Sequence, residues 1–294
     1  MTSRVLVVGD VMTDIIVVPE GPLVRGSDRR ATVRSRPGGS GANQAVWLGA
    51  MGADVLFAAR VGADERGFYE NYFRGRGVVP ALAGDRDLPS GVLVTLVDPD
   101  GERSFLTDRG SNLNLGPEDL PESLLEDVGM VVVSGYSFFA PGPRRAVQQL
   151  FAEAQARGIA AAIDPASVGF LDEVGADNFL DWTAGADFLL ANESEARALT
   201  GLETPEAQVV ALGAHYGTVL LKRGRLGAML GGRDGVRLER PAPAVAVLDS
   251  TGAGDAFAAG FIAALLAGAG EAGALDKAIE AGAVAVQSIG GQPG

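Results

Sequence analysis

Chemistry is most concentrated in the run Asp249-Ser250-Thr251-Gly252-Ala253-Gly254-Asp255-Ala256-Phe257, which leads straight into the apolar stretch AFAAGFIAALLAG. Glycines at a helix start let several free backbone N–H groups converge on one point, and with the helix dipole they form an anion site. Asp255 falls in the first turn, where a carboxylate beside a bound phosphate is costly unless it does something, such as accepting a proton from an attacking hydroxyl. The same residues also read as an ordinary glycine-rich helix start with a dipole-favoured aspartate. Residue types alone leave both readings open.

Three other places carry polar groups at suggestive spacing. Pro37-Gly38-Gly39-Ser40-Gly41-Ala42-Asn43-Gln44-Ala45 starts a helix with glycines that permit close approach of the chain, and Asp14 precedes it on an apolar run. Taken alone, these read as a solvated strand-end charge and a helix-starting turn. Asn192 and Glu195 have the spacing of a capping box, and Lys222-Arg223-Gly224-Arg225-Leu226-Gly227 that of a hairpin turn.

Other chemistries are excluded by what is missing. There is no cysteine, which removes disulfides, thiolate nucleophiles and Cys-ligated metal, and His215, the only histidine, sits where a helix end favours it electrostatically. The only lysines, Lys222 and Lys277, are followed by Arg223 and Ala278, so there is no Walker A motif. Gly9 and Gly21 stand too far apart for a dinucleotide fingerprint. With 24 Lys plus Arg against 37 Asp plus Glu, a net charge of −13, and scattered arginines, the chain is a poor candidate for tracking nucleic acid. No apolar run reaches the ~18 residues of a membrane span, and Asp10 and Asp14 interrupt the N-terminal apolar run too early for a signal peptide. A cytoplasmic protein without membrane or nucleic-acid partners is expected.

The elements that must position these groups follow from hydropathy. Buried strands are expected at Val5–Gly9, Val55–Arg60, Met130–Ser134, Ala160–Asp164, Phe188–Ala191 and Val219–Leu221. They alternate with helices at Gly41–Met51, Arg144–Ala156, Glu193–Thr200, Glu206–Tyr216, Gly254–Ala267 and Ala274–Ser288, the rhythm of an α/β protein with a mostly parallel sheet. Ligands of such sheets bind beyond the carboxyl ends of the strands. Asp14–Val18 with Ala31–Arg36, and Gly91–Val97 with Arg103–Leu106 across Asp98-Pro99-Asp100-Gly101, read as hairpins outside that rhythm that could cover the crevice as a lid. With 47% hydrophobic residues the chain can bury a substantial core.

The run DSTGAGDAF, with serine where threonine is commoner, is very similar to the second signature of the ribokinase (PfkB) family of carbohydrate and nucleoside kinases. The segment from Pro37 to Ala45, followed by LGAMGADVLFAARVGAD, resembles the first; Gly9-Asp10 through Asp14, Asn192 to Glu195 and Lys222 to Gly227 match in the family's order, from about Val5 to Gln292. The resemblance implies a ribokinase-like three-layer α/β/α fold, one kinase domain over 1–294 with lid strands at about 14–36 and 91–108, and ATP-dependent phosphorylation of a substrate hydroxyl. It makes Asp255 the base and the amides of Gly252, Ala253 and Gly254 the anion hole. Asp14, Gly39, Ser40, Gly41 and Asn43 would hold the acceptor; Asn192, Lys222, Gly224, Gly227 and Gly254 the nucleotide. Glu195, with Asn192, would hold Mg²⁺ through water. In potassium-dependent relatives the ion's positions correspond to Asp249, Thr251, Ala285, Ser288 and Gly290. A homodimer through the lid is implied as well.

The resemblance leaves the acceptor open. Where ribokinases usually carry a glutamate, this chain reads Ser134-Gly135-Tyr136-Ser137, closer to 2-keto-3-deoxygluconate kinases and unassigned sugar kinases. Tyr136 could equally stack on a nucleobase, and Arg103 and Arg109 could pair with an acidic sugar or ATP phosphate, or face solvent. A small sugar or sugar acid is the expected acceptor. A nucleoside is the alternative, and a non-catalytic binder of sugar or nucleotide the third reading.

Overall fold

The computed structural model describes residues 4–98 and 103–294. In chain order the elements are β1 (Arg4–Val8), β2 (Met12–Pro19), β3 (Ala31–Gly38), α1 (Ser40–Ala50), β4 (Val55–Gly62), α2 (Arg66–Arg74), β5 (Val78–Asp85), β6 (Gly91–Val97) and β7 (Arg103–Asp108). They continue with β8 (Val128–Ser134), α3 (Pro141–Ala156), β9 (Ala160–Asp164), α4 (Val168–Val174), α5 (Ala176–Trp182), β10 (Phe188–Asn192), α6 (Glu193–Thr200) and α7 (Pro205–Leu212). Last come β11 (Thr218–Lys222), β12 (Ala228–Gly232), β13 (Gly235–Arg240), α8 (Ala253–Leu266) and α9 (Glu271–Ala285).

The continuous apolar runs are strands covered on both faces, which is why they lack an alternating pattern. In β1, Val5 and Val7 enter a core shared with α1, α2, α8 and α9, while Leu6 and Val8 enter a second core with α3, α5, α6 and α7. One sheet between two helix layers follows. Its order is β13-β12-β11-β10-β9-β8-β1-β4-β5, with parallel pairing from β11 to β5 and antiparallel pairing at β12 and β13. From β1 the chain builds outward through β4 and β5, then returns to β8 on the other side and continues to β11. That reversal makes the β1/β8 junction a topological switch point, where the crevice of an open α/β sheet lies.

The lid is a separate four-stranded sheet, β3-β2-β6-β7. Both expected hairpins are antiparallel pairs, with Asp14 opposite Arg36 in one and Leu93 opposite Thr107 in the other. A parallel pairing of β2 with β6 joins them, a long-range contact that local turn signals do not carry. Of the expected turn at Asp98-Pro99-Asp100-Gly101, all but Asp98 lies outside the described residues.

Some expected boundaries are corrected. The helix expected over Glu206–Tyr216 stops at Leu212, because Gly213 lies directly against the backbone of Gly232 and Arg233 and the chain must turn there to enter β11. His215 is exposed in that turn. The last helix runs over Glu271–Ala285 rather than Ala274–Ser288, starting a turn earlier with Glu271 favourable at the positive dipole end and releasing residues 286–294 as a loop. Sequence reading also passed over α2, whose buried face is aromatic (Tyr69, Phe73), and β5, where Pro80 is tolerated on the sheet edge.

Candidate active site

The carboxyl ends of β9, β10 and β11, the start of α1, the start of α8 and the lid surround a cleft of about 780 Å³. Asp14, Gly39, Ser40, Asn43, Asn192, Glu195, Lys222, Gly224, Gly227, Thr251, Gly252, Ala253, Gly254 and Asp255 all line it. Residues drawn from five separate stretches of chain therefore meet in one place. His215 is not among the lining residues.

Asp255 sits in the first turn of α8 behind Gly252, which has φ +73. Only glycine takes that conformation without strain, and any side chain there would also collide with Gly291. The carboxylate is half-buried and held by α1: the Ser40 hydroxyl donates to Oδ1 at 2.8 Å, the Gln44 amide to the same oxygen at 3.3 Å, and the Asn43 amide to Oδ2 at 3.0 Å. Burial pushes its pKa up to about 7 and Asp164 pushes in the same direction, while Asn43, Ser40 and Lys222 oppose the rise. α1 approaches closely because Gly9 and Gly41 pack backbone on backbone, and Asp10 accepts the Gly41 N–H at 3.1 Å.

Asp14 stands on the lid strand β2, 6% exposed, with Oδ1 buried and without a partner. Burial pushes it up to about 7; Arg36 across the hairpin lowers it and Asp10 raises it. An orphaned acceptor at the cleft wall is what a hydroxyl-bearing ligand would satisfy.

Toward β10 and β11 the site is ionic. Lys222 ends β11 beside Asn192 of β10, and its Nζ pairs with Asp164 Oδ2 at 2.7 Å. Burial alone would lower its pKa, but Asp164 and Glu195 outweigh that and the net shift is upward. The ammonium borders the start of α8, since a Cβ placed on Gly254 would meet Nζ at 3.4 Å. Asn192 and Glu195 form the expected capping box, with Glu195 N–H donating to Asn192 Oδ1 at 2.9 Å and Asn192 N–H to Glu195 Oε2 at 2.8 Å. Burial first, then Asp164, pushes Glu195 up to about 7 against the pull of Lys222. Asp164 also braces Ala166, a non-glycine residue at φ +73 on the cleft wall, through a bond from its N–H.

The segment after α9 closes the far side. Asp249 accepts the N–H groups of Thr251 (2.8 Å) and Gly290 (3.0 Å), and the Ser288 hydroxyl donates to Ala285 O at 3.3 Å. Of the five residues of the expected cation position, Asp249 and Thr251 lie in the loop before α8, Ala285 ends α9, and Ser288 and Gly290 lie in the loop after it. The oxygens they offer suit a hard monovalent ion.

Several contributors escaped sequence reading. Asp164 could have been found as a polar residue ending a buried strand; Gln44, Arg36 and Gln292 carry no local signal. Arg109 is engaged inside the protein rather than free for a ligand: it pairs with Asp10 at 3.0 Å, and its guanidinium lies 4.6 Å from the Tyr136 ring centroid. The expectation for the Arg103 side chain lies outside the described residues. Tyr136 lines the cleft with its ring packed edge-on to Phe139 and Phe170.

A glycine-led helix start, a half-buried carboxylate in its first turn and a lid strand beside the carboxyl ends of the sheet form one constellation, and the family model for pfkB family carbohydrate kinases matches residues 2–294. The chain belongs to that family. Among characterised PfkB relatives, it is 30% identical over 299 residues to an ATP-dependent ribose-1-phosphate kinase of Halopiger xanaduensis, covering 96% of this chain and 91% of that one. It is 33% identical over 258 residues to a 2-dehydro-3-deoxygluconokinase of Thermoproteus tenax, with 84% and 78% covered. It is also 32% identical to the bifunctional protein HldE of Pseudomonas putida, of which it spans 56%. In fold, this PfkB chain is similar to an adenosine kinase from Sinorhizobium meliloti (TM-score 0.89, 22% identity, 100% and 96% covered). A putative ribokinase II from E. coli, solved with ATP and Mg²⁺, gives TM-score 0.87 at 22% identity, with 98% and 94% covered.

Proposed function

We propose that this PfkB chain is an ATP-dependent phosphotransferase acting on the hydroxymethyl or alcohol group of a small sugar or sugar acid. The observation that carries the reading is Asp255, held at the mouth of the Gly252–Gly254 amide cluster and facing the same cleft as the unsatisfied carboxylate of Asp14. Asp14 and Asn43 bind and orient the acceptor; Asp255 takes the proton of the attacking hydroxyl. A base whose pKa lies near 7 is matched to that task at neutral pH. The amides of Gly252, Ala253 and Gly254, at the positive end of α8, stabilise charge on the transferring phosphoryl group, and Lys222 adds a fixed positive charge beside them. Asn192, Gly224 and Gly227 flank the nucleotide.

A magnesium ion bridging ATP phosphates would supply charge neutralisation at the leaving group. The donor chemistry fits a hydrated ion: the cleft wall offers the carboxylate of Glu195 next to Asp164, with no group of three or more metal-ligating side chains among the described residues. Potassium at Asp249, Thr251, Ala285, Ser288 and Gly290 is part of the same proposal, as are a single kinase domain and a homodimer in which the lids cover their exposed Val18, Val33, Phe105 and Leu106. No helix among the described residues is long and apolar enough to cross a membrane, and a cytoplasmic location is proposed with the rest.

A nucleoside acceptor is the second reading, favoured by the Tyr136 ring on the cleft wall and by the likeness of fold to an adenosine kinase. An ADP-release assay with MgATP and a panel of ribose, ribose 1-phosphate, fructose, 2-keto-3-deoxygluconate and nucleosides, with and without K⁺, separates the two. Turnover on a sugar or sugar acid supports the proposal, and selective turnover on a nucleoside replaces it with the second reading. Tight ATP binding with no turnover on any acceptor would point to the non-catalytic binder.

A further inference from the structure

The loop after α9 is laced into the acceptor side of the cleft more thoroughly than a chain end requires. Arg36 of β3 donates to Ile289 O at 2.8 Å, Trp47 of α1 donates to Gly291 O at 2.9 Å, and Gly290 N–H donates to Asp249. Beyond these backbone ties, Gln292 makes two side-chain contacts of opposite polarity. Its Oε1 accepts from the Tyr72 hydroxyl of α2, and its Nε2 donates to Asn43 Oδ1 at 3.0 Å. Asn43 in turn donates through Nδ2 to Asp255 Oδ2.

We infer that Gln292 is a positioning residue: tethered by Tyr72, it holds the Asn43 amide in the orientation that keeps Nδ2 on Asp255. Donor and acceptor ends match all along this chain of contacts. An Asn side chain has one donor end and one acceptor end, and a carboxylate can only accept. With Gln292 Nε2 occupying Asn43 Oδ1, the amide must present Nδ2 to Asp255. The Tyr72 hydroxyl, a group able to donate or accept, donates to the Gln292 oxygen and tethers it from the other side, while the acceptor-only carboxylate of Asp255 fixes the polarity of the whole chain. Without this anchor the Asn43 amide is free to turn away, and Asp255, deprived of a donor, is held less firmly and keeps its own proton more tightly, which leaves less of it ionised to act as base. The relay runs from α2 through the final loop and α1 to α8, so four distant stretches agree on one orientation.

The inference rests on the proposed role of Asp255, so the test includes a readout that does not depend on turnover. The charged and titratable groups facing Asp255 are Asp164 at the end of β9, Lys222 at the end of β11, Tyr136 after β8 and Asp14 across the cleft; Gln292→Met leaves all four in place. In that variant the side-chain amide resonance of Asn43, assigned by its loss in Asn43→Asp, should shift and exchange with solvent faster. Turnover should fall about tenfold, the scale of one lost charge-assisted hydrogen bond, at unchanged KM for ATP. The acid limb of the kcat profile should move to higher pH, because a carboxylate that loses a donor binds its proton more tightly.

An unchanged Asn43 resonance overturns the relay, and a changed resonance with wild-type kcat and pH profile overturns its positioning role. If Gln292→Met does not fold, Tyr72→Phe, which removes only the donor to Gln292, is read by the same criteria. Should Asp255→Asn keep its activity, the base reading fails, while the Asn43 resonance still reports whether the relay exists.

Discussion

The two halves of the cleft differ in whether a buried ion pair is present, although Glu195 on the nucleotide side is pushed up to about 7 like the carboxylates opposite. On the acceptor side, Asp14 and Asp255 are carboxylates held by neutral groups or left unsatisfied, and both are pushed up to about 7. On the nucleotide side, Lys222 is locked to Asp164 and its pKa is raised further, so its charge is fixed at any physiological pH. In the proposed reaction a proton moves on one side and a polyphosphate is held on the other. Removing a charge should therefore damage chemistry or acceptor binding on the first side and nucleotide affinity on the second.

The largest expected effect is at the base. Asp255→Asn should lower kcat by about 10²–10⁴-fold, the usual contribution of a positioned general base, as read by ADP release under saturating substrates. Next is Lys222→Met, which strands Asp164 as a buried unpaired charge and removes the cation beside the anion hole. The KM for ATP should rise about 10–100-fold, as loss of a charge-assisted contact does, with a smaller change in the acceptor KM. An equal rise in both constants would erase the contrast between the two halves. Asp14→Ala should raise the acceptor KM about tenfold at constant KM for ATP; an unchanged acceptor KM would take Asp14 out of the acceptor site.

The smallest effect is on stability. Asp14, with a folded pKa above its unfolded value, keeps a proton that the unfolded chain releases. Its stabilising contribution is complete below about pH 4 and is lost as pH rises through about 7. Asp14→Asn should accordingly raise the Tm of the ligand-free protein by about 2–4 °C at pH 8, the shift that ~1 kcal/mol gives in a chain of this size, and change it little at pH 4. A Tm gain at pH 4 as large as at pH 8 would mean that packing, not charge, is responsible.

How far sequence reached differs between the same two halves. The DSTGAGDAF run and the Asn192/Glu195 capping box are local, so their geometry follows from neighbouring residues, and both fold as expected. The sheet was legible because buried parallel strands are continuous apolar runs ending in polar residues. What stayed hidden is contact between distant stretches: the parallel β2–β6 pairing that makes one lid of two hairpins, the Lys222–Asp164 pair, and the path from Tyr72 through Gln292 to Asn43. None leaves a periodic or turn signature. Arg109 shows the reverse error, a plausible ligand contact whose charge is already used by Asp10.

The most direct test combines a nucleotide titration and an ADP-release assay on one preparation of Asp255→Asn. The account predicts nucleotide affinity within about twofold of wild type together with near-complete loss of turnover. Turnover within about tenfold of wild type, below the least a positioned base contributes, would contradict it.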